Sequence, residues 1–415
     1  MATPGARQYQ LVKDLSFVRY GGTPAEEKAA ARITDEITRV GGSYTLMPFT
    51  IPAFSCETCT IDVTAPYAKS VPALPYGRSG SIDGEYRLYY ASRGVEEDYL
   101  GVDSLENTVV MLDEMNLDVY RLLVQKGASA FIILCGKYYD TPKTTDLLPR
   151  SLRAKQLEIG KIPGFMIRAK DAMELVRRGA KSLRLHMTQT EYEATSHNIL
   201  AEIPGTACPE EVIILTAHYD SVQIGTGSWD NATGSANLAY LYGYFLQHPT
   251  RRTLRFLWCG SEEQGLLGSR AYVEQNPDKL PAIKMCFNFD MCGTILGFNN
   301  VIVSGGEDLR TYAEQFCHEM GWSASIRTGV HSSDSAPFAD KGIPGLGLCR
   351  RTYTAEIHTR YDLLDTISAA MLQDMGEFSS ALIARVANSM VMPVKTGMPE
   401  DMLKELDRYF QRDKK

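Results

Sequence analysis

The chain has 415 residues, of which 44% are hydrophobic and 22% are charged, and its formal net charge is −7. This length exceeds one ordinary hydrophobic core, so it predicts two domains, or one large domain with an insert. The negative charge argues against nucleic acid or an anionic membrane as a partner. No apolar run reaches the roughly 18 residues of a transmembrane helix, and the first residues lack the apolar centre of a signal peptide. We therefore expect a cytoplasmic protein, or a secreted one if a signal segment has been removed.

The first clear element is a helix over residues 24–41, with a proline near its start, acids in its first turn and a glycine at its end. Residues 43–51 have strand character. Residues 54–195 then change to short β-like runs around one helix-and-strand unit, which predicts a self-contained β-rich insert. A regular strand and helix alternation follows, so the expected domains are 1–53 with 196–415, and 54–195.

The nine cysteines are odd in number, and several lie inside apolar runs, which favours buried reduced thiols. Cys56 and Cys59 form a C-x-x-C pair with no second pair nearby, so we interpret them as packing residues rather than metal ligands.

Three short apolar runs in the second half of the chain each end in a His or a carboxylate. "EVIILTA" precedes His218, "RFLWCGS" precedes Glu262 and Glu263, and "IKMCFNF" precedes Asp290. Such runs, followed by helix candidates, are typical of parallel strands buried on both faces. They predict a three-layer α/β/α sandwich around a mixed, mostly parallel sheet, with its site at the carboxyl ends of the strands. The adjacent glutamates repel each other there unless a cation offsets them.

Three further polar residues belong to the candidate set. Asp220 lies two residues after His218 and is placed to orient its ring. Asp230 precedes a helix, so it is either an N-cap or a ligand, and His358 lies in a polar turn. Two imidazoles and several carboxylates can hold two divalent metals if one carboxylate bridges them, and this mixture suits Zn²⁺ best, with Mn²⁺ or Co²⁺ as alternatives. The candidate ligands and acids are His218, Asp230, Glu262, Glu263, Asp290 and His358.

The ordered series "HYDS", "WDNATGS", "SEEQGLLGS", "FDMCG" and "IHTRYD" resembles the co-catalytic di-zinc exopeptidases of peptidase clan MH. The resemblance implies a metallo-aminopeptidase that acts on peptides and that uses two zinc ions. It implies that Asp230 bridges the metals, that Glu263 and His358 complete one site, and that His218 and Asp290 complete the other.

The same resemblance implies that Glu262 is the general base, that Asp220 orients the first histidine, and that the Asp230–Asn231 peptide bond is cis. It also implies that residues 54–195 are a protease-associated domain. In the loop "HSSDSAPFADKGIPG", Asp334 is expected to be structural.

Alternatives from other classes stay open at this point. A carboxypeptidase or a glutaminyl cyclase would use the same metals, and Arg350, Arg351 and Arg360 near the last histidine could recognise a carboxylate. A non-catalytic homologue would lose ligands, and none is lost here. Some relatives place an oxyanion-stabilising tyrosine where this chain has Ile357, and Tyr353 is a candidate substitute.

Overall fold

The computed structural model describes residues 3–141, 143–144 and 147–412. The chain divides into two compact units, one formed by residues 1–51 and 194–415 and the other by residues 52–193. The boundaries expected from the sequence, after residues 53 and 195, differ from these by two residues.

The helices and strands alternate through most of the chain. The helices are α1 (Pro4–Leu15), α2 (Pro24–Arg39), α3 (Leu117–Gln125), α4 (Ala154–Ile159), α5 (Ala169–Arg177), α6 (Thr233–Gln247), α7 (Leu267–Gln275), α8 (Glu307–Met320), α9 (Ser335–Ala339), α10 (Ala369–Asn388) and α11 (Glu400–Tyr409). The strands are β1 (Thr45–Ala65), β2 (Lys69–Val71), β3 (Ala73–Pro75), β4 (Ile82–Tyr90), β5 (Thr108–Leu112), β6 (Ala130–Cys135), β7 (Gly164–Arg168), β8 (Ser182–Ile203), β9 (Cys208–His218), β10 (Arg252–Cys259), β11 (Ile283–Phe289), β12 (Phe298–Ser304), β13 (Ala324–Thr328) and β14 (Gly345–Arg351). Among the described residues, no helix has both the length and the hydropathy to cross a membrane.

The first unit is built on a mixed sheet with the strand order β13-β12-β14-β11-β9-β10-β8. β9 pairs in parallel with β10 and β11, and β11 pairs in parallel with β14. Antiparallel pairs occur where β10 meets β8 and where β12 meets β14. The mixed, mostly parallel sheet predicted from the apolar runs is confirmed.

Alternate residues of the central strands pack into two different helical layers. Leu215 and Phe256 belong to a large core shared with α1, α2, α6 and α10. Their neighbours Ile214 and Leu257 belong to a separate core that includes Phe338 of α9. Burying such a side chain contributes about 1.5–3 kcal/mol, and burial on both faces explains why these runs lack polar alternation. The predicted three-layer sandwich is confirmed.

The parallel register brings the polar strand ends to one edge of this sheet. Cys259, the last residue of β10, pairs with His218, the last residue of β9. Asp290 follows directly after β11, which runs parallel to β9. The glutamates that follow β10 therefore start beside His218, as expected for an open α/β sheet.

The helix predicted over residues 24–41 is present as α2 and ends at Arg39. Helix α1 was not predicted. Thr3 caps it by accepting the N–H of Ala6 at 3.2 Å, and the spacing of Leu11 and Leu15 places apolar side chains in the core.

The second unit has the strand order β8-β4-β5-β6-β7-β3, in which β4 to β7 are parallel neighbours and both outer pairs are antiparallel. β1 pairs with β2, and α3 to α5 accompany the sheet. Two apolar cores, around Phe131 and around Phe165, hold this unit together. Its identity as a protease-associated domain stays a prediction.

Candidate active site

Two histidines lie on either side of one carboxylate at the carboxyl edge of the first unit's sheet. Oδ1 of Asp230 lies 3.1 Å from Nε2 of His218, and its Oδ2 lies 3.1 Å from Nε2 of His358. A carboxylate that presents one oxygen to each of two imidazoles has the geometry of a bridge between two cations. The N-cap alternative for Asp230 is not observed, because the helix cap is Ala232.

Two more carboxylates complete two groups of three. Asp290 Oδ1 lies 3.5 Å from Nε2 of His218, and Glu263 Oε2 lies 3.0 Å from Nε2 of His358. The ligand atoms of each group, one with Asp290 and one with Glu263, lie within 4.8 Å of one another, and Asp230 belongs to both. Imidazole and carboxylate without thiolate is a donor set that suits catalytic zinc. Glu263 Oε1 is buried and accepts no hydrogen bond from the described residues, so it has a lone pair to offer a cation.

The electrostatics of the cluster also fit a cation. Burial would by itself lower the pKa of His358, but hydrogen bonds with Asp230 and Glu263 outweigh it and raise that pKa to about 11. Burial, with the nearby charge of Asp230, raises the pKa of Glu263 to about 7. Protons thus occupy positions where a divalent cation would bind the same atoms, and metal binding would displace them.

Glu262 faces the cluster without belonging to either group of three. Its Oε2 lies 3.9 Å from Nε2 of His218, and its side chain is 11% exposed. Burial raises its pKa well above the ordinary value, and the charges of Asp334 and Glu263 add to this effect. A carboxylate at the metal cluster that is not itself a ligand is free to exchange protons.

Asp220 supports both glutamates as well as the first histidine. Its Oδ1 lies 3.3 Å from Nδ1 of His218 and accepts the N–H of Glu262 at 2.9 Å. Its Oδ2 accepts the N–H of Glu263 at 3.2 Å. The role predicted for Asp220, orienting His218, stays a prediction, and the two backbone contacts were not predicted.

The backbone at the site takes unusual conformations. The Asp230–Asn231 peptide bond is cis, as the resemblance implied. Ser261, Met291 and His358 each have a left-handed φ, between 52° and 59°. Non-glycine residues adopt this conformation at a cost, and it concentrates at functional sites.

Three residues that the sequence analysis did not single out hold the ligand loops. Asp362 accepts the N–H of Trp229 at 2.7 Å and that of Asp230 at 3.0 Å. Asn231 donates to the carbonyl of Phe289 at 2.9 Å, and so joins the loop of the bridging carboxylate to the end of β11. The last residue of the motif "IHTRYD" was the available signal for Asp362.

Buried Arg19 is the third of these residues. Its guanidinium donates to the carbonyls of Tyr219 at 2.5 Å and Gly227 at 2.8 Å, which lie on either side of the loop between the first two ligands. Burial lowers its pKa to about 10, so it stays charged at neutral pH. An arginine between a valine and a tyrosine in "FVRYG" was a weak sequence signal.

The remaining predicted residues lie outside the cluster. Asp334 is buried, and burial raises its pKa to about 6; its expected structural role stays a prediction. Tyr353 is 91% exposed and packs against Phe298, and its oxyanion role also stays a prediction. Cys56 and Cys59 lie in β1, and among the described residues neither belongs to a metal-sized group.

The comparisons with known proteins agree with this geometry. The family model for peptidase family M28 matches residues 198–383. Aminopeptidase YwaD of Bacillus subtilis is 27% identical over 404 residues, which cover 90% of this chain and 83% of that protein. Leucine aminopeptidase 2 of Trichophyton equinum is 28% identical over 191 residues, which cover 43% of this chain and 38% of that protein.

Among solved structures, BSAP, a zinc aminopeptidase from Bacillus subtilis, has a TM-score of 0.79 at 22% identity, and the match covers 96% of this chain and 98% of that one. At this identity the likeness shows the fold. The segment that matches the family model contains all five predicted ligands, so the chain resembles peptidase family M28 at its candidate site.

Proposed function

We propose that this chain is a zinc-dependent aminopeptidase that removes N-terminal residues from peptides. Its single active site would hold two zinc ions. The observation that carries the proposal is the position of Asp230, which lies 3.1 Å from both His218 and His358. The relative that matches most of the chain is an aminopeptidase, and BSAP, which has a similar fold, is a zinc aminopeptidase. His218, Asp230 and Asp290 would hold one ion, and Asp230, Glu263 and His358 the other.

Zinc, when bound, supplies Lewis-acid chemistry: it lowers the pKa of water toward neutrality and polarises a carbonyl oxygen. Glu262 accepts a proton from the attacking water as the oxygen of that water bonds to the scissile carbonyl carbon. It then donates that proton to the nitrogen of the leaving amine as the C–N bond breaks. Asp220 keeps Glu262 and Glu263 in place through their backbone N–H groups.

The carboxypeptidase alternative loses one of its three arginines. Arg350 donates to the carbonyl of Thr294 at 2.8 Å and to Oδ1 of Asn299 at 3.1 Å. A guanidinium already bound in this way is poorly placed to recognise a substrate carboxylate.

The first test of the proposal is N-terminal blocking. N-acetylation of an apolar tripeptide is expected to lower kcat/KM by about 10- to 10²-fold or more, because an enzyme that binds the free N-terminus loses the charge and hydrogen bonds of that group. Amidation of the C-terminus should leave kcat/KM nearly unchanged. Chromatography of the products from the free, acetylated and amidated peptides gives all three rates. Equal cleavage of the acetylated peptide together with loss of cleavage on amidation would replace this proposal with a carboxypeptidase.

The second test is the pH dependence of zinc affinity. His358 has a raised pKa of about 11 without metal, so it must release a proton when zinc binds at neutral pH. Below neutral pH, Glu263, with a pKa of about 7, also carries a proton, and it must release that proton when zinc binds. Affinity should therefore rise about tenfold per pH unit just above pH 7, and more steeply just below it. Competition with a chelator between about pH 6 and about pH 8 measures this slope, and a flat profile would contradict the assigned ligands.

We also propose a cytoplasmic location. All nine cysteines are free thiols in the structure, and six of them are buried. Free thiols are typical of a reducing compartment. Cell fractionation tests this proposal, and recovery of the protein outside the cells would contradict it.

A further inference from the structure

We propose that Glu26, in the first turn of α2, is a positioning residue that holds the backbone from which Glu262 and Glu263 project. The inference rests on the proposed function, and it adds a residue more than 200 positions away in sequence to the machinery of the site. Glu26 is 2% exposed, although glutamate in the first turn of a helix is ordinarily solvated.

The carboxylate of Glu26 is surrounded by hydrogen-bond donors. Oε1 accepts the backbone N–H of Ser261 at 2.9 Å, the hydroxyl of Ser261 at 3.1 Å and the hydroxyl of Ser196 at 2.8 Å. Oε2 accepts the N–H of Gly22 at 2.7 Å. Both oxygens of a buried carboxylate are therefore satisfied, as a buried charge requires.

Ser261 is the residue that leads into the two glutamates. Its φ of 52° and ψ of 37° are left-handed, and a serine reaches this conformation at a cost that its surroundings must meet. Glu26 binds both its N–H and its hydroxyl, so it favours this conformation over the extended one. The side chain of Gln264, on the far side of the glutamates, donates to the carbonyl of Gly21 at 3.0 Å. The first turn of α2 and the residues just before it thus bind the glutamate turn at both ends.

The side chains of Glu26 and Ser261 are closely packed against neighbouring glycines. A Cβ on Gly260 would lie 2.8 Å from Oε1 of Glu26 and 2.5 Å from the hydroxyl of Ser196, and one on Gly21 would lie 2.2 Å from the hydroxyl of Ser261. Asp220 holds the N–H groups of Glu262 and Glu263 from the opposite side. Loss of Glu26 would leave the turn held by Asp220 and by the contact of Gln264 with Gly21.

The experiment compares Glu26→Ala and Glu26→Gln with Glu27→Ala, a matched control on the same turn whose side chain is exposed. Glutamine keeps one oxygen that can accept from Ser261 but turns an NH2 group toward the N–H of Gly22, so it should lose less than alanine does. We expect Glu26→Ala to lower kcat at saturating zinc by about 10- to 10²-fold with little change in KM, because small displacements of catalytic groups have effects of this size. It should also weaken zinc binding by about 10-fold in chelator competition, since Glu263 is carried by the same turn.

Equal kcat and zinc affinity in Glu26→Ala and the wild type would overturn the proposal, and so would an equal loss in the alanine and glutamine variants. If Glu26→Ala does not fold, Ser261→Ala decides, because it removes one of the two Ser261 contacts. A reduced kcat or zinc affinity in that variant supports the proposal, and unchanged values overturn it. If the wild type fails to cleave peptides, the proposed function fails, while the zinc affinities still report on Glu26.

Discussion

Glu262→Gln is expected to lower kcat by about 10²–10⁴-fold, the usual worth of a general base, while the zinc content stays at the wild-type level. Glutamine has nearly the shape and reach of glutamate, but it cannot accept the proton of the attacking water. Glu262 belongs to neither group of three ligand atoms, so its charge is not needed to hold a metal. KM should change little. Steady-state kinetics and elemental analysis on the same preparation measure both quantities.

The neighbouring variant Glu263→Gln is the matched comparison. It exchanges an anionic oxygen that lies 3.0 Å from Nε2 of His358 for a neutral amide. Zinc content should fall, and added zinc should restore part of the activity. A Glu262→Gln enzyme that loses zinc, beside a Glu263→Gln enzyme that keeps it and loses only rate, would reverse the two roles.

The fold was largely predictable because it depends on the apolar pattern of a few runs. The apolar runs before His218 and before Asp290 are short and buried on both faces, and this combination has few structural solutions. Helix α1 was missed because its apolar residues are mixed with polar ones, and because tertiary packing rather than propensity stabilises it.

The candidate ligands were predictable for a topological reason. Parallel strands deliver their carboxyl ends to one edge, so a His or an acid at each end must converge there. Which oxygen bridges and which glutamate stays free depends on side-chain directions within a single turn, and no periodicity encodes these. The resemblance to a known family supplied those roles, and they stay predictions.

The residues that hold the ligands were not predictable, because their partners are distant in sequence. Glu26 binds Ser261, Arg19 binds the carbonyl of Gly227, and Asp362 binds the N–H of Asp230. Each of these contacts joins a single polar side chain to the backbone, and no hydrophobic pattern in the sequence predicts it. Such contacts become visible only when the loops are placed in space.

Asp230→Ala is expected to have the broadest effect of any single change in the site. The wild type should bind two zinc ions per chain, and this variant should lose at least one, because both groups of ligand atoms include Asp230. Each histidine would keep a single carboxylate partner in its group, Asp290 beside His218 and Glu263 beside His358. Metal ions contribute several kcal/mol to such reactions, so kcat/KM should fall by about 10³-fold or more.

Asp365→Ala, which removes an exposed aspartate in the short 3₁₀ helix Leu364–Thr366, is the control for Asp230→Ala and should keep both the metal and the rate. Elemental analysis after dialysis with zinc, followed by kinetics, makes the comparison. Two zinc ions retained in Asp230→Ala would exclude the bridge. A fully active wild type with one zinc per chain would exclude the second metal, and with it the bridging role of Asp230.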